Sequence, residues 1–374
     1  MVIRKIWLNQ ISSAWKIRNI IWLSGVRRVG KTTLAGQIGG IHHLNCDLPS
    51  VKRTLADPEF FLESCSEDTL ALDEIHRIHD PSNLLKIAAD EHPDIKILAT
   101  GSSTLAATHK FKDSLTDRKR SIHLPPVLWR ETQSSFSIND LNLRLLHGGL
   151  PGHLLSKDND PAFFEDWIDS FYARDIQELF NVRNRTGFIG LFHLLGLQSG
   201  GILDITSLGK KTGISRPTVM SYLDAMEIAH ALYRLPPFFG GGHREIIKQP
   251  KAYLFDTGFV SYIRGWETIR PEDAGFLWEH LVLDELRFDF SARSIHYWRD
   301  KSGRELDFII DRGGGNVDVY EAKYRPDAFE PNHIKYFRSL YPSGQNYVVC
   351  PFIRKPYQQR LHGITITYTS HPMT

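Results

Sequence analysis

Cysteine is scarce: Cys46, Cys65 and Cys350 are the only three in 374 residues. They are too few and too scattered for a disulfide framework or a cysteine-ligated zinc site, and are expected to pack as small apolar residues in a reducing compartment. Long hydrophobic runs are missing too, since no stretch approaches the roughly 20 apolar residues a membrane helix needs. The opening residues mix Arg4 and Lys5 with apolar ones, unlike a secretory leader. A soluble, cytoplasmic protein without membrane contact is therefore expected. An excess of one charge sign is also absent, with 45 Lys and Arg against 43 Asp and Glu. Nucleic-acid contact, if any, must come from local patches. There is no internal repeat and no low-complexity tract, which excludes a solenoid. The 17 histidines contain no HExxH pattern, so nothing points to a zinc protease.

What the chain does have is Gly25-Val26-Arg27-Arg28-Val29-Gly30-Lys31-Thr32-Thr33, a complete GxxxxGK[ST] string after the apolar run Ile20-Ile21-Trp22-Leu23. Glycines let successive backbone N–H groups close around phosphate, Lys31 reaches the β and γ phosphates, and Thr32 offers a hydroxyl to Mg²⁺. ATP and Mg²⁺ are the expected ligands. Thr69-Leu70-Ala71-Leu72-Asp73-Glu74 is an apolar strand ending in two carboxylates. In that position Asp73 holds the Mg²⁺ and Glu74 polarises the attacking water. The run Thr100-Gly101-Ser102-Ser103 then places hydroxyls, Ser102 among them, where a γ-phosphate sensor would sit. Capping of the next helix explains Ser102 and Ser103 equally well.

Residues 1–130 alternate apolar runs with helix-like stretches, which predicts an α/β domain with a parallel sheet. Strands are expected at Asn19 to Leu23, His42 to Leu44, Thr69 to Leu72, Ile95 to Thr100 and Ser121 to Leu124. Residues 131–200 read as a helical lid or linker, with Trp167, Phe171, Ile176 and Leu179 at helical spacing and a turn at Gly148 to Gly152. Residues 201–262 read as a winged helix-turn-helix. Leu208, Ile214, Val219 and Leu223 form its core, Ser215, Arg216, Thr218 and Ser221 are exposed, and the wing strands join through Gly240, Gly241, Gly242, His243 and Arg244. Arg216 and Ser221 could touch bases while Lys210, Lys211 and Arg244 meet phosphates. Winged helices also dock proteins, so DNA and a protein partner both stay open.

Residues 263–374 place Glu279 on a helix, Asp307 on a strand, and Glu321 with Lys323 on the next strand. Alternation puts Glu321 and Lys323 on one face, so Asp307 and Glu321 can ligate a metal, Lys323 can hold a water, and Glu279 can complete the shell. The alternative is an internal salt bridge between Lys323 and Asp307 with no metal.

The string Gly25 to Thr33, the run Leu72-Asp73-Glu74-Ile75-His76-Arg77, Thr100 to Ser103, and Leu124-Pro125-Pro126 with Arg130-Glu131 together resemble the prokaryotic AAA-superfamily ATPases related to archaeal winged-helix ATPases, which carry a C-terminal domain of unknown function. The resemblance implies a P-loop NTPase sheet with a helical lid, a winged-helix module and a C-terminal α/β domain similar to the PD-(D/E)xK, restriction-endonuclease-like fold. That group usually shows Gly-Arg where this chain has Asp117-Arg118. By analogy Arg118 is a candidate arginine finger reaching a neighbouring subunit's nucleotide in a homo-oligomer, and a solvated member of the Arg118-Lys119-Arg120 cluster is the other reading. The function implied is an ATP-driven switch or motor that positions a winged helix and a nuclease-like module on DNA. The rival is a regulatory ATPase that binds protein partners and uses its C-terminal domain as a scaffold.

Overall fold

The computed structural model of the chain describes residues 2–101, 115–177, 180, 182–240 and 249–373. The expectations for Ser102, Ser103, Leu179, Gly241, Gly242, His243 and Arg244 lie outside the described residues. The fold is α/β.

Strands β1 (Ile20–Ser24), β2 (His42–Asn45), β3 (Thr69–Asp73), β4 (Lys96–Thr100) and β5 (Lys119–His123) form a five-stranded sheet in the order β2-β3-β4-β1-β5. Every pairing in it is parallel. All residues of β1 are buried, because helices cover both faces of a parallel sheet and leave no polar side for alternation to mark. β4 lies between β1 and β3, with Leu23 paired to Thr100 and Leu72 to Ala99. The carboxyl ends of these three strands therefore share one edge, the edge at which ligands bind in open α/β sheets. Helix starts follow Asp-Pro steps: Asp57, Asp80 and Asp160 each cap a helix that begins with proline.

Helices Trp129–Ser134, Leu141–His147, Pro151–Leu154, Pro161–Phe171 and Arg185–Leu197 follow the sheet, in the stretch expected to be a lid or linker. Between the last two, Tyr172–Gln177 adopts a π-helical turn. Trp167, Phe171 and Ile176 are buried as their spacing predicts. At the glycine turn, Gly148 has φ +77°, and an added Cβ would lie 1.9 Å from Asp256 Oδ1.

The middle module consists of β6 (Gly201–Ile202), helices Ile205–Thr212 and Arg216–Ile228, β7 (Leu232–Leu235) and β8 (Lys251–Leu254), with the strands in the order β6-β8-β7. Gly213 closes the first helix in the left-handed region, the turn between the two helices. Leu208, Val219 and Leu223 are buried and Ile214 packs beside them.

After helix Pro271–Asp289 come β9 (Ile295–Arg299), β10 (Glu305–Asp311), β11 (Val317–Ala322), helix Asn332–Leu340, β12 (Asn346–Val349), β13 (Tyr357–Leu361) and β14 (Ile364–Thr369). They form a mixed six-stranded sheet in the order β13-β14-β12-β11-β10-β9. β10 shifts register against β9 between Leu306 and Ile309, an irregularity that includes Asp307. The first sheet and the C-terminal sheet each have an apolar cluster of their own, around Trp22, Leu72 and Ile97 and around Trp298, Ile309 and Phe337. Another apolar cluster runs from Trp7 and Leu23 through Trp167, Phe188 and Leu223 to Leu277, Trp278 and Tyr320.

Candidate nucleotide-binding site

The loop after β1 folds as its glycines require. Gly25 has φ +148°, and an added Cβ would meet Leu124 O at 2.4 Å; Gly30, at φ +96°, opens the helix that starts at Lys31. Lys31 Nζ donates to Gly25 O at 2.8 Å and Val26 O at 3.0 Å, which anchors the ammonium at the loop mouth. Burial lowers its pKa, against the pull of the Glu74, Asp175 and Asp73 carboxylates. Thr32 Oγ1 donates to Asp73 Oδ2 at 2.7 Å. Thr100, whose sensor role the sequence left shared with Ser102, donates its hydroxyl to Asp73 Oδ1 and accepts the Glu74 N–H at 3.2 Å. Glu74 itself sits at φ +55° with Oε2 3.2 Å from His76 Nδ1. Burial raises its pKa while Lys31 opposes and Asp73 adds to the rise.

The loop glycines with Lys31, Thr32 and Glu74 line a cavity of about 360 Å³, within the range of small-ligand pockets. The donor set fits Mg²⁺ and a triphosphate. The loop lacks a Cβ where phosphate approaches, and a hydroxyl and a carboxylate converge beside it as hard oxygen ligands. Thr32 and Asp73 would hold the ion and Lys31 the phosphates. Residues from elsewhere in the chain line the cavity too: Arg174 and Asp175 of the π turn and Ala229 just after the second helix of the middle module. Asp47, His76 and Arg77 also line it. Sequence reasoning missed these, and nothing in the local spacing of Arg174 and Asp175 marks them.

Arg118 lies at the start of β5, the sheet edge opposite the phosphate loop, and its Nε is 2.6 Å from Asp90 Oδ1. Asp117 takes φ +59°, so aspartate adopts the left-handed turn where the similar group has glycine. On the middle module, Lys210, Lys211, Arg216 and Ser221 are exposed. Ser215 caps the second helix, accepting from Thr218 N at 3.3 Å, and its hydroxyl is 2.7 Å from that of Thr218, so both are engaged locally.

The four C-terminal candidates do converge. Lys323 Nζ is 3.0 Å from Asp307 Oδ2 and also contacts Glu321 Oε2. Asp307 Oδ2 accepts the Ala322 N–H at 2.9 Å. Glu279 accepts from the Tyr253 hydroxyl and pairs with Lys251 Nζ at 3.3 Å. Lys251, from β8, also reaches Glu305 at 2.6 Å and is 4% exposed in its side chain. Sequence reasoning did not find Lys251, Tyr253 or Glu305. Burial and the neighbouring Asp307 push Glu321 up to about 8. Burial works against the Asp307 carboxylate, yet Lys323 and Lys251 hold its pKa below the usual value. As they stand these residues do not fit a divalent ion. The Lys323 ammonium lies between Asp307 and Glu321, and among the described residues no group of three His, Cys, Asp or Glu side chains is disposed to hold a metal.

A parallel sheet with a glycine-lined phosphate loop, a metal-ready Thr32–Asp73 pair and a glutamate beside it defines a P-loop nucleotide-binding domain. Residues 17–133 match the family model described as "AAA domain", which agrees with that fold. Residues 138–270 and 274–368 match two domains of unknown function, DUF8612 and DUF4143. The chain is similar to uncharacterized proteins Rv2008c of Mycobacterium tuberculosis and Mb2031c of Mycobacterium bovis, each 26% identical over 306 residues, or 79% of this chain and 68% of the relative. Among solved structures, a Thermotoga maritima RuvB variant aligns at TM-score 0.30 and 17% identity, covering 63% of this chain and 90% of its own. The Bacillus subtilis DNA clamp loader delta protein aligns at TM-score 0.28 and 12% identity, covering 59% and 88%. Among the described residues no helix is long and apolar enough to cross a membrane.

Proposed function

We propose that the protein is an ATP-hydrolysing switch whose bound nucleotide controls how its winged helix meets DNA, with the C-terminal domain serving as a scaffold docked to that module. The observation that carries this reading is the shared lining of the pocket: the phosphate loop, Arg174, Asp175 and Ala229 all border it. A nucleotide there touches the lid and the end of the helix-turn-helix at once. Lys210, Lys211 and Arg216 supply the DNA side of the argument, since all three are exposed and no ion pair holds them among the described residues. Metal-dependent cleavage by Glu279, Asp307, Glu321 and Lys323 is the reading set aside, because ammonium groups already compensate those carboxylates. Protein docking keeps one observation in its favour: an apolar groove runs along the same helix between Phe180, Pro217, Met220 and Ile228.

Fluorescence anisotropy with labelled duplex DNA, with ATP, a non-hydrolysable analogue, ADP or no nucleotide, separates these readings. The expected result is DNA affinity that changes between nucleotide states and falls as salt rises. Replacing Lys210, Lys211 and Arg216 together with Ala should lower the slope of log K against log salt by roughly 2 to 3. Wild-type protein that binds no DNA at low salt in any nucleotide state moves the function to the protein-docking groove.

A further inference from the structure

Asp175 is an unusual member of a phosphate-binding pocket. Its Oδ2 lies 3.2 Å from Arg27 Nη1, and Arg27 is part of the phosphate loop. The charged groups that act on it are Arg27, Lys31, Glu74 and the adjacent Arg174. Its carboxylate is one of those that pull the Lys31 ammonium upward. Burial pushes Asp175 up to about 6, ahead of the opposing pull of Arg27 and Lys31. A carboxylate placed among the cations of a phosphate loop does the electrostatic work of a phosphate oxygen, and it repels the real one. We infer that the Asp175 carboxylate competes with a nucleoside triphosphate for Arg27 and Lys31, so that nucleotide binding is linked to release of the Arg27–Asp175 pair and of the lid turn that carries it. This rests on the reading of the pocket as an ATP site.

The turn is suited to the role. Tyr172–Gln177 is π-helical, a hydrogen-bond register that occurs mostly as single turns and often at functional sites. Arg174, next to Asp175, also lines the pocket, so a polyphosphate attracts one of the two neighbours and repels the other. Upstream, the Trp167 indole N–H donates to Arg27 O at 3.2 Å, tying the lid helix to the same loop residue. Downstream, helix Arg185–Leu197 meets the helix-turn-helix directly. The Phe188 and Tyr222 rings lie 5.5 Å apart, and Gly187 sits so close to Ile214 that an added Cβ would be 2.7 Å from Ile214 Cγ2. A shift of the π turn is thus passed to the winged helix through packed side chains.

The test is ATP affinity by calorimetry for wild type, Asp175→Asn, Asp175→Ala and each of these combined with Lys31→Ala. Removing the competing charge should tighten ATP binding roughly fivefold or more, the lower end of coupling between linked sites. Lys31→Ala should weaken binding in every background. Amide exchange over residues 172–177 gives the second readout. A non-hydrolysable ATP analogue should speed it in wild type, and in Asp175→Asn it should be fast with or without the analogue. Unchanged or weaker ATP binding in both Asp175 variants, with wild type binding ATP through Lys31, overturns the competition. A wild type that binds no ATP overturns the nucleotide site itself, and the two failures are distinct.

Discussion

Replacing Glu74 by Gln is expected to cut the rate of ATP hydrolysis by about a hundredfold or more while leaving ATP affinity within about twofold, the pattern of a group that acts on the attacking water. Glutamine nearly matches the shape of glutamate but cannot take the water's proton. The local geometry supports the separation of binding from turnover. In the proposed reading Lys31 and Thr32 would hold the nucleotide and its metal ion, whereas the Glu74 backbone N–H donates to Thr100 and its carboxylate lies beside His76. Lys31→Ala should give the opposite pattern, with affinity lost first. Steady-state hydrolysis beside equilibrium binding checks both variants. Wild-type turnover in Glu74→Gln would mean that the residue polarising the water has been misassigned.

The P-loop and the acidic strand end were legible in the sequence because their chemistry is local. Gly25 and Gly30 need their backbone conformations within one loop, and Lys31 and Thr32 act within a residue or two of it. Thr32 meets Asp73 across strands whose apolar runs were themselves readable, so even a contact over 41 residues could be anticipated. The rest of the pocket lining was not legible. Arg27 and Asp175 are separated by 148 residues, and a π turn has no periodic signature to announce which of its side chains points inward. The convergence of Asp307, Glu321 and Lys323 followed from strand alternation. What the alternation could not supply is Lys251, which enters from β8 in another module and changes the balance of the whole cluster. How the modules pack on one another was not legible either. Burial patterns show that a helix has an apolar face but do not identify its neighbour, and here one of the apolar clusters continues from the parallel sheet through residues 164–195 and the middle module to helix Pro271–Asp289.

That long helix makes the charge cluster consequential for the whole molecule. At one point Glu279 meets Lys251 of β8; two and three turns further on, Glu285 and Asp289 hold Arg130 of the helix that follows the parallel sheet. Lys251→Met is therefore expected to destabilise the docked unit by about 3 kcal/mol, the lower end for breaking a buried ion pair. Methionine keeps the length and apolar stem of lysine, so the cost comes from Glu279 and Glu305 losing their shared ammonium and not from a cavity. Glu279 is 19% exposed and Glu305 28%, so water offsets part of the loss, which is why the lower end applies. Adding Glu279→Gln to Lys251→Met should restore part of the stability, since a neutral amide needs no counter-ion and can still accept from Tyr253. Urea unfolding followed by tryptophan fluorescence measures both steps. Calorimetric titration of the nucleotide-free wild type with Mn²⁺ adds the functional arm. A scaffold held by Lys251 and Lys323 takes up no ion at the cluster. Ion binding that Asp307→Asn abolishes, together with a stable Lys251→Met protein, would show instead that the lysines yield to metal and that the cluster is a metal site, and DNA cleavage lost in Lys323→Ala would make it a nuclease.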